Sequence, residues 1–419
     1  MEILSIGEKI KRTRIYKGYT LKDICEEKIS VSKMSCIENG KIKPEDWILE
    51  LISNKLGMDI EYLKKDVREQ LKFNLNEVKV NYNKTSQAEI LKYNLDYAEE
   101  YKYYDIAFEF MHILFSYYLE IKDIKSCQDN TARYYKLCRN SDSEKNKLIY
   151  YMDIGKYFYA GNEYFQAASY YNNVRKTLMK NESKDYNFLI SAIYEEANCI
   201  FMMGQYENAY EILNKIIDII KFINDSCYKA KIFNLLGRLS IGMNNGKFRE
   251  FEKESYKLVE NNRELKAKFI YNYGCAMLKT NMDENAYDYI NEAISLYPEE
   301  VNRDFVHFIL DVIKTLIQIN KISQAKELCD KILNYSIDLH EDVFIEKSYY
   351  FKALIMHIEN NIEMSEMYMN LSLDILMKIG DKNTIKDRYM EMGVLYFEMK
   401  NTSESLKYFN LALNMDKKI

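Results

Sequence analysis

Residues 6–44 read IGEKIKRTRIYKGYTLKDICEEKISVSKMSCIENGKIKP, and the order of caps and apolar positions in this stretch decides the fold of the head of the chain. Ile6 and Ile10, with Ile15, mark one face of a first helix from about Ser5 to Lys17. Gly18 ends it, because glycine enters the left-handed region without a Cβ penalty. The Thr20 hydroxyl can accept a free amide hydrogen and so caps a second helix, LKDICEE. Ser30 does the same for a third, VSKMSCIE, which stops at Asn39-Gly40. Pro44 suits the first turn of a fourth, WILELISNKLG, closed by Gly57. Asp59 then caps IEYLKKDVREQL, read as one fifth helix.

Charge sets this segment apart. The chain carries 59 Lys+Arg against 64 Asp+Glu; residues 1–72 hold 15 against 13, which leaves 44 against 51 for the remainder. A net of +2 in the head and −7 elsewhere assigns any contact with nucleic acid to the head.

The same residues resemble the Xre/Cro-type helix-turn-helix domain: a first helix, a Thr-capped second, a Ser-capped recognition helix and the ending I-E-N-G-K. The resemblance implies that Arg14 pairs with Glu38. It implies that the recognition helix offers Val31, Ser32, Lys33, Ser35 and Cys36 to base edges, while Lys11, Arg12, Lys41 and Lys43 meet phosphates. Leu21 stands where the family usually has a glutamine that contacts phosphate, and the segment between Thr20 and Ser30 is one residue shorter than in phage repressors. Residues 1–72 are expected to form this domain, with a linker to about 88, and residues 89–419 a second domain.

In that second stretch, small or apolar residues able to fill a tight helix–helix position lie at 155, 197, 237, 274, 313, 353 and 393. This regular interval is the mark of stacked helical hairpins. KAKFIYNYGCAMLKTNMDENAYDYINEAISLYP, with Gly274, Ala286, Ala293 and Pro298, follows the tetratricopeptide spacing. An earlier unit fits with Ala107, and 120–147 is expected to be irregular. The expected fold is all-α: a helix-turn-helix head followed by a right-handed superhelix of tetratricopeptide-like hairpins. In the consensus frame, the concave side chains are Lys156 and Tyr159; Tyr194, Asn198 and Phe201; Lys231, Asn234 and Arg238; Lys268 and Tyr271; Lys314 and Gln318; Tyr350 and His357. Asparagine can pair with both N–H and C=O of an extended backbone, and Arg or Lys can take a carboxylate, so these residues are the expected peptide contacts.

Head and array together resemble the Rap/Rgg/NprR/PlcR/PrgX group of peptide-sensing quorum regulators, most like its NprR-type members. The resemblance implies a homodimer on a palindromic double-stranded operator, controlled by a short signalling peptide in the concave groove. It also leaves an alternative: an adaptor that binds a protein partner such as a response regulator, with phosphatase activity through a glutamine, for which Gln128 is the one residue on offer.

Composition excludes other classes. Two prolines and 13 glycines suit long helices rather than sandwiches or doubly wound sheets. The eight cysteines are scattered, with no C-x-x-C, and read as reduced thiols of a cytoplasmic protein. MEILSIGEKIKRTR lacks an apolar signal region, and no run is long enough to span a membrane. With no P-loop, H-E-x-x-H or G-x-S-x-G, no catalytic residue, metal or cofactor is expected.

Overall fold

A computed structural model describes residues 3–26, 28–80, 87–180, 185–379 and 382–415. Among them the chain is helices and turns, with no strand. The helices of the head are α1 (Ile6–Tyr16), α2 (Leu21–Cys25), α3 (Val31–Glu38), α4 (Asp46–Leu56) and α5 (Ile60–Lys64), followed by α6 (Val67–Val80). Then come α7 (Gln87–Glu100), α8 (Tyr104–Glu120), α9 (Ile124–Asn140), α10 (Glu144–Ala160), α11 (Tyr164–Lys180), α12 (Tyr186–Met202) and α13 (Tyr206–Asn214). After a short 3-10 turn at Ile220–Phe222 follow α14 (Ser226–Met243), α15 (Phe248–Leu258), α16 (Arg263–Leu278), α17 (Asp283–Leu296) and α18 (Arg303–Gln318). The last are α19 (Ile322–Asp338), α20 (Asp342–Ile358), α21 (Ile362–Ile379), α22 (Lys382–Glu398) and α23 (Thr402–Met415). The chain divides into two compact units, Met1–Ile212 and Leu213–Ile419.

In the first unit, Ile10, Ile24, Met34, Ile37, Ile48, Ile52, Leu56 and Leu63 make the core of the head. Ser5 with Glu8, and Thr20 with Asp23, form reciprocal capping boxes at the starts of α1 and α2. Gly7 lets α1 cross the end of α3: a Cβ there would lie 2.4 Å from the Ile37 carbonyl oxygen and 2.6 Å from that of Glu38.

The single helix expected from Asp59 is instead two, and the cause sits 53 residues upstream. Lys9, buried in α1, donates from Nζ to the carbonyls of Tyr62 and Lys65, both at 2.6 Å. These are acceptors that the end of α5 leaves open. Asp66 and Glu69 then exchange hydrogen bonds with each other's backbone N–H (Glu69 to Asp66 Oδ1 2.8 Å, Asp66 to Glu69 Oε2 3.1 Å) and start α6 afresh. α6 runs on through Val80, where the linker was expected; residues 81–86 lie outside the described residues. Val67, Leu71 and Leu75 of α6 share a core with Leu91, Leu95, Phe108, Phe115 and Tyr134, and Ile3 joins it. Gln70 ties the preceding segment down, accepting from the Leu4 N–H at 3.2 Å and donating to the Leu4 carbonyl at 2.8 Å.

The helices of the array reverse at turns holding one residue in the left-handed region: Lys102, Lys122, Asp142 and Asn162 in the first unit, Asn320, His340, Asn360 and Lys400 in the second. Most of these are 20 residues apart, so a hairpin takes twice that. The stretch 120–147, expected to be irregular, therefore contains a regular helix, α9, capped by the Asp123 side chain. It lacks the glycine or alanine sought at the tight position because Cys127 fills it. Cys127, Ala167, Ala286, Ala325, Ser365 and Ser405 stand at the same place after their turns and all are buried. The two serines satisfy their hydroxyls on the opposing helix: Ser365 donates to the Ala353 carbonyl at 2.9 Å and Ser405 to that of Gly393 at 2.8 Å. On the first helices, Gly155, Gly237 and Gly393 have no room for a Cβ, which would come within 2.6–2.7 Å of the rings of Tyr171, Tyr273 and Phe409.

Candidate functional site

The head presents one polar face built on α3. Ser30 caps α3 by accepting from the Lys33 N–H at 3.1 Å, which points the first turn outward. Val31 and Ser32 are exposed, Lys33, Ser35 and Cys36 partly so, and Met34, Ile37 and Glu38 face the core. The far end of the helix is locked to α1: Arg14 forks onto Glu38 through Nε to Oε1 at 2.6 Å and one terminal nitrogen to Oε2 at 2.9 Å. Its other terminal nitrogen donates to the Tyr19 carbonyl at 3.0 Å. A bidentate pair of this kind fixes geometry as well as charge, and the hydrogen bond to Glu38, with its charge, raises the Arg14 pKa against the opposing effect of burial. Lys11 and Arg12 on α1, and Lys41 and Lys43 after α3, are exposed. Lys33 is not a free cation: Nζ donates to Glu45 Oε1 at 2.9 Å. Sequence reading missed both Glu45 and its other partner, Trp47.

The side chains expected on the concave face divide sharply. Lys156, Lys231, Lys314 and Gln318 are exposed. Several others link consecutive first helices. The Asn198 amide donates to the Tyr159 hydroxyl at 3.0 Å. Asn234, itself buried, donates to the Phe269 carbonyl at 3.3 Å and accepts from Asn272 at 3.3 Å. Tyr271 reaches the Asp311 carbonyl at 2.9 Å and the Thr315 hydroxyl at 2.8 Å. Tyr350 donates to Glu391 at 2.8 Å, and His357 Nε2 lies 3.4 Å from Glu398. Phe201 is buried, Tyr194 and Arg238 are half-buried, and Lys268 pairs within its own helix with Glu264 at 2.6 Å. Asn198 and Asn234 belong to different units, and their expected joint ladder stays a matter of each unit by itself.

Buried charge also runs between hairpins. In the first unit, Asp153 accepts from the Tyr134 hydroxyl at 2.8 Å and meets His112 Nδ1 at 2.5 Å. Arg175 pairs with Glu196 at 2.6 Å. In the second unit, Arg388 holds Glu346 at 2.8 Å and Glu391 at 2.9 Å, with its guanidinium 3.3 Å from the centre of the Tyr350 ring. Gln128 is exposed on α9. Among the described residues no group of three or more His, Cys, Asp or Glu could hold a metal, and no helix is long and apolar enough to cross a membrane.

No family model matches the chain, and no curated relative does. Among solved structures it is similar to the apo form of the quorum sensor NprR from B. thuringiensis, at 16% identity over 84% of this chain and 99% of that one, with a TM-score of 0.44. A Rap protein complexed with Competence and Sporulation Factor matches at 13% identity, covering 84% and 98%, with a TM-score of 0.47. B. thuringiensis PlcR in complex with the peptide PapR7 and DNA matches at 18% identity, covering 61% and 94%, with a TM-score of 0.35. All three belong to the group that the sequence resembles. At these scores the likeness gives no residue of this chain a role.

Proposed function

We propose that the chain is a DNA-binding transcription regulator whose repeat array binds a short peptide. The observation that carries the first half is the head: a recognition helix locked at its end by Arg14 and Glu38, its first turn exposed, and basic side chains on both flanks. One such helix reads only a half-site, so the protein acts as a homodimer on a two-fold operator. The second half rests on the exposed Lys231, Lys314 and Gln318, which offer donors to a peptide backbone or carboxylate.

A gel shift of the full chain on a randomised duplex pool, across a salt series, tests the DNA reading. Salt-sensitive binding is expected, with Lys41→Glu weakening it for every sequence and flattening the salt slope by about 0.9 per lost phosphate contact. Binding that is absent, or insensitive to both salt and Lys41→Glu, contradicts it. Light scattering at saturating operator is expected to give a dimer mass.

A further inference from the structure

Glu45 stands at the N-cap position of α4, yet its side chain makes no capping hydrogen bond. It turns instead toward the recognition helix. Oε1 accepts from Lys33 Nζ at 2.9 Å and Oε2 from the Trp47 indole N–H at 2.7 Å. Lys33 Nζ also lies 5.9 Å from the Trp47 ring centre. The carboxyl is held below its ordinary pKa, by Lys33 first and then by Trp47, so it is charged wherever the head works. The side chains of Lys33 and Glu45 are 35% and 61% exposed. An ion pair in that setting contributes roughly 0–1 kcal/mol to stability, so folding alone gives little reason for it. Trp47 is the only tryptophan of the chain and is 45% exposed beside that pair.

We infer that Glu45 is a specificity-setting residue that acts through Lys33, cancelling its charge toward arbitrary phosphates while leaving its hydrogen bonds available to the correct base; this rests on the DNA-binding reading above. An ammonium has three donors, and only one is engaged by Glu45. The others can still reach the O6 and N7 acceptors of a guanine. A phosphate in a random sequence meets a pair with no net charge and gains almost nothing. Glu45 thus lowers background binding more than cognate binding, which is discrimination by penalising the wrong partner. The Trp47 N–H fixes the carboxylate in the orientation that faces Lys33.

The test uses the full chain, with Trp47 emission and gel shift as readouts, on a random-sequence duplex and on the duplex that wild type selects from a pool. Glu45→Gln keeps the shape and removes the charge. It is expected to bind the random duplex about fivefold more tightly at 0.15 M salt, with a salt slope steeper by about 0.9, the value for one more neutralised phosphate. Cognate affinity changes less, so the specificity ratio falls. Trp47→Phe, which keeps the charge and is followed by gel shift alone, is expected to retain the wild-type slope. In a Lys33→Gln background the effect of Glu45→Gln is expected to vanish. An unchanged slope in Glu45→Gln, or an equal gain without Lys33, overturns the inference. If wild type binds no duplex at all, the DNA reading itself fails, a separate and recognisable result.

Discussion

The first turn of α3 and the first helices of the array both carry polar side chains, but they use them differently. On α3, Val31 and Ser32 are exposed, and Lys33 pairs with the exposed Glu45 beside Trp47. Along the array, Asn234, Tyr271 and Tyr350 each reach the next hairpin, 38 to 44 residues on in the cases of Asn272, Thr315 and Glu391. The head meets the array through Ile3 and α6, and the outer face of α3 is left for something else. A repeat array must hold each hairpin to the next, and polar rungs do that wherever apolar packing leaves room.

If that contrast is right, disturbing the links between hairpins costs stability, and disturbing the face of the head costs binding. The largest effect is expected at Arg388, the centre of the buried network. Arg388→Ala strands Glu346 inside and should cost about 3–5 kcal/mol, lowering the urea midpoint followed by far-UV circular dichroism. Trp47 emission, which reports the head alone, should keep its midpoint. A shift of both together would break the comparison.

Gly7→Ala should do the reverse. Its Cβ would overlap the Ile37 and Glu38 carbonyls, and overpacking of that kind costs roughly 1–3 kcal/mol. The Trp47 transition should move to lower urea while the helical signal that belongs to the second unit, Leu213–Ile419, holds.

Asn234→Ala against Lys231→Ala sharpens the contrast within a single helix. Losing the Asn234 rung leaves buried partners unpaired and should cost about 1–3 kcal/mol. Lys231→Ala should stay within about 0.5 kcal/mol of wild type, yet reduce capture of peptides from a random heptapeptide library. If Asn234→Ala instead melts like wild type and loses peptide capture, Asn234 is a ligand contact and not a rung.

The smallest effect concerns Lys9, whose pKa burial lowers from 10.5 to about 8. The unfolded chain holds that proton up to its ordinary range, so unfolding takes up a proton between about pH 8 and 10.5. The head should therefore gain stability as pH rises through that window. The Trp47 midpoint in urea should climb there, and Lys9→Met should flatten the climb.

The head was almost fully legible in the sequence because its signals are local. Thr20 and Ser30 cap the helices that their positions announce, and Arg14 pairs with Glu38 as the resemblance implied. Pro44, expected in the first turn of the fourth helix, lies instead before its N-cap, Glu45. The break between α5 and α6 escaped notice because half its cause is Lys9, remote in the chain. The other half, the Asp66-x-x-Glu69 box, lay under a continuous apolar period. In the array, a search for glycine and alanine overlooked Cys127, whose thiol is as small as the site requires. The residues expected to contact a peptide were the least legible. An asparagine that binds a ligand and one that bridges to the next hairpin look alike when the partner is a whole repeat away.

The central claim is that α3 reads DNA. Selection from a random duplex pool by the full chain at 0.15 M salt, followed by sequencing, tests it most directly, with a Ser32→Ala, Lys33→Gln double variant and Asn198→Ala run alongside. An enriched motif with two related half-sites is expected for wild type and Asn198→Ala, with that motif lost or altered in the double variant. No enrichment by wild type, or the same motif from the double variant, would contradict it.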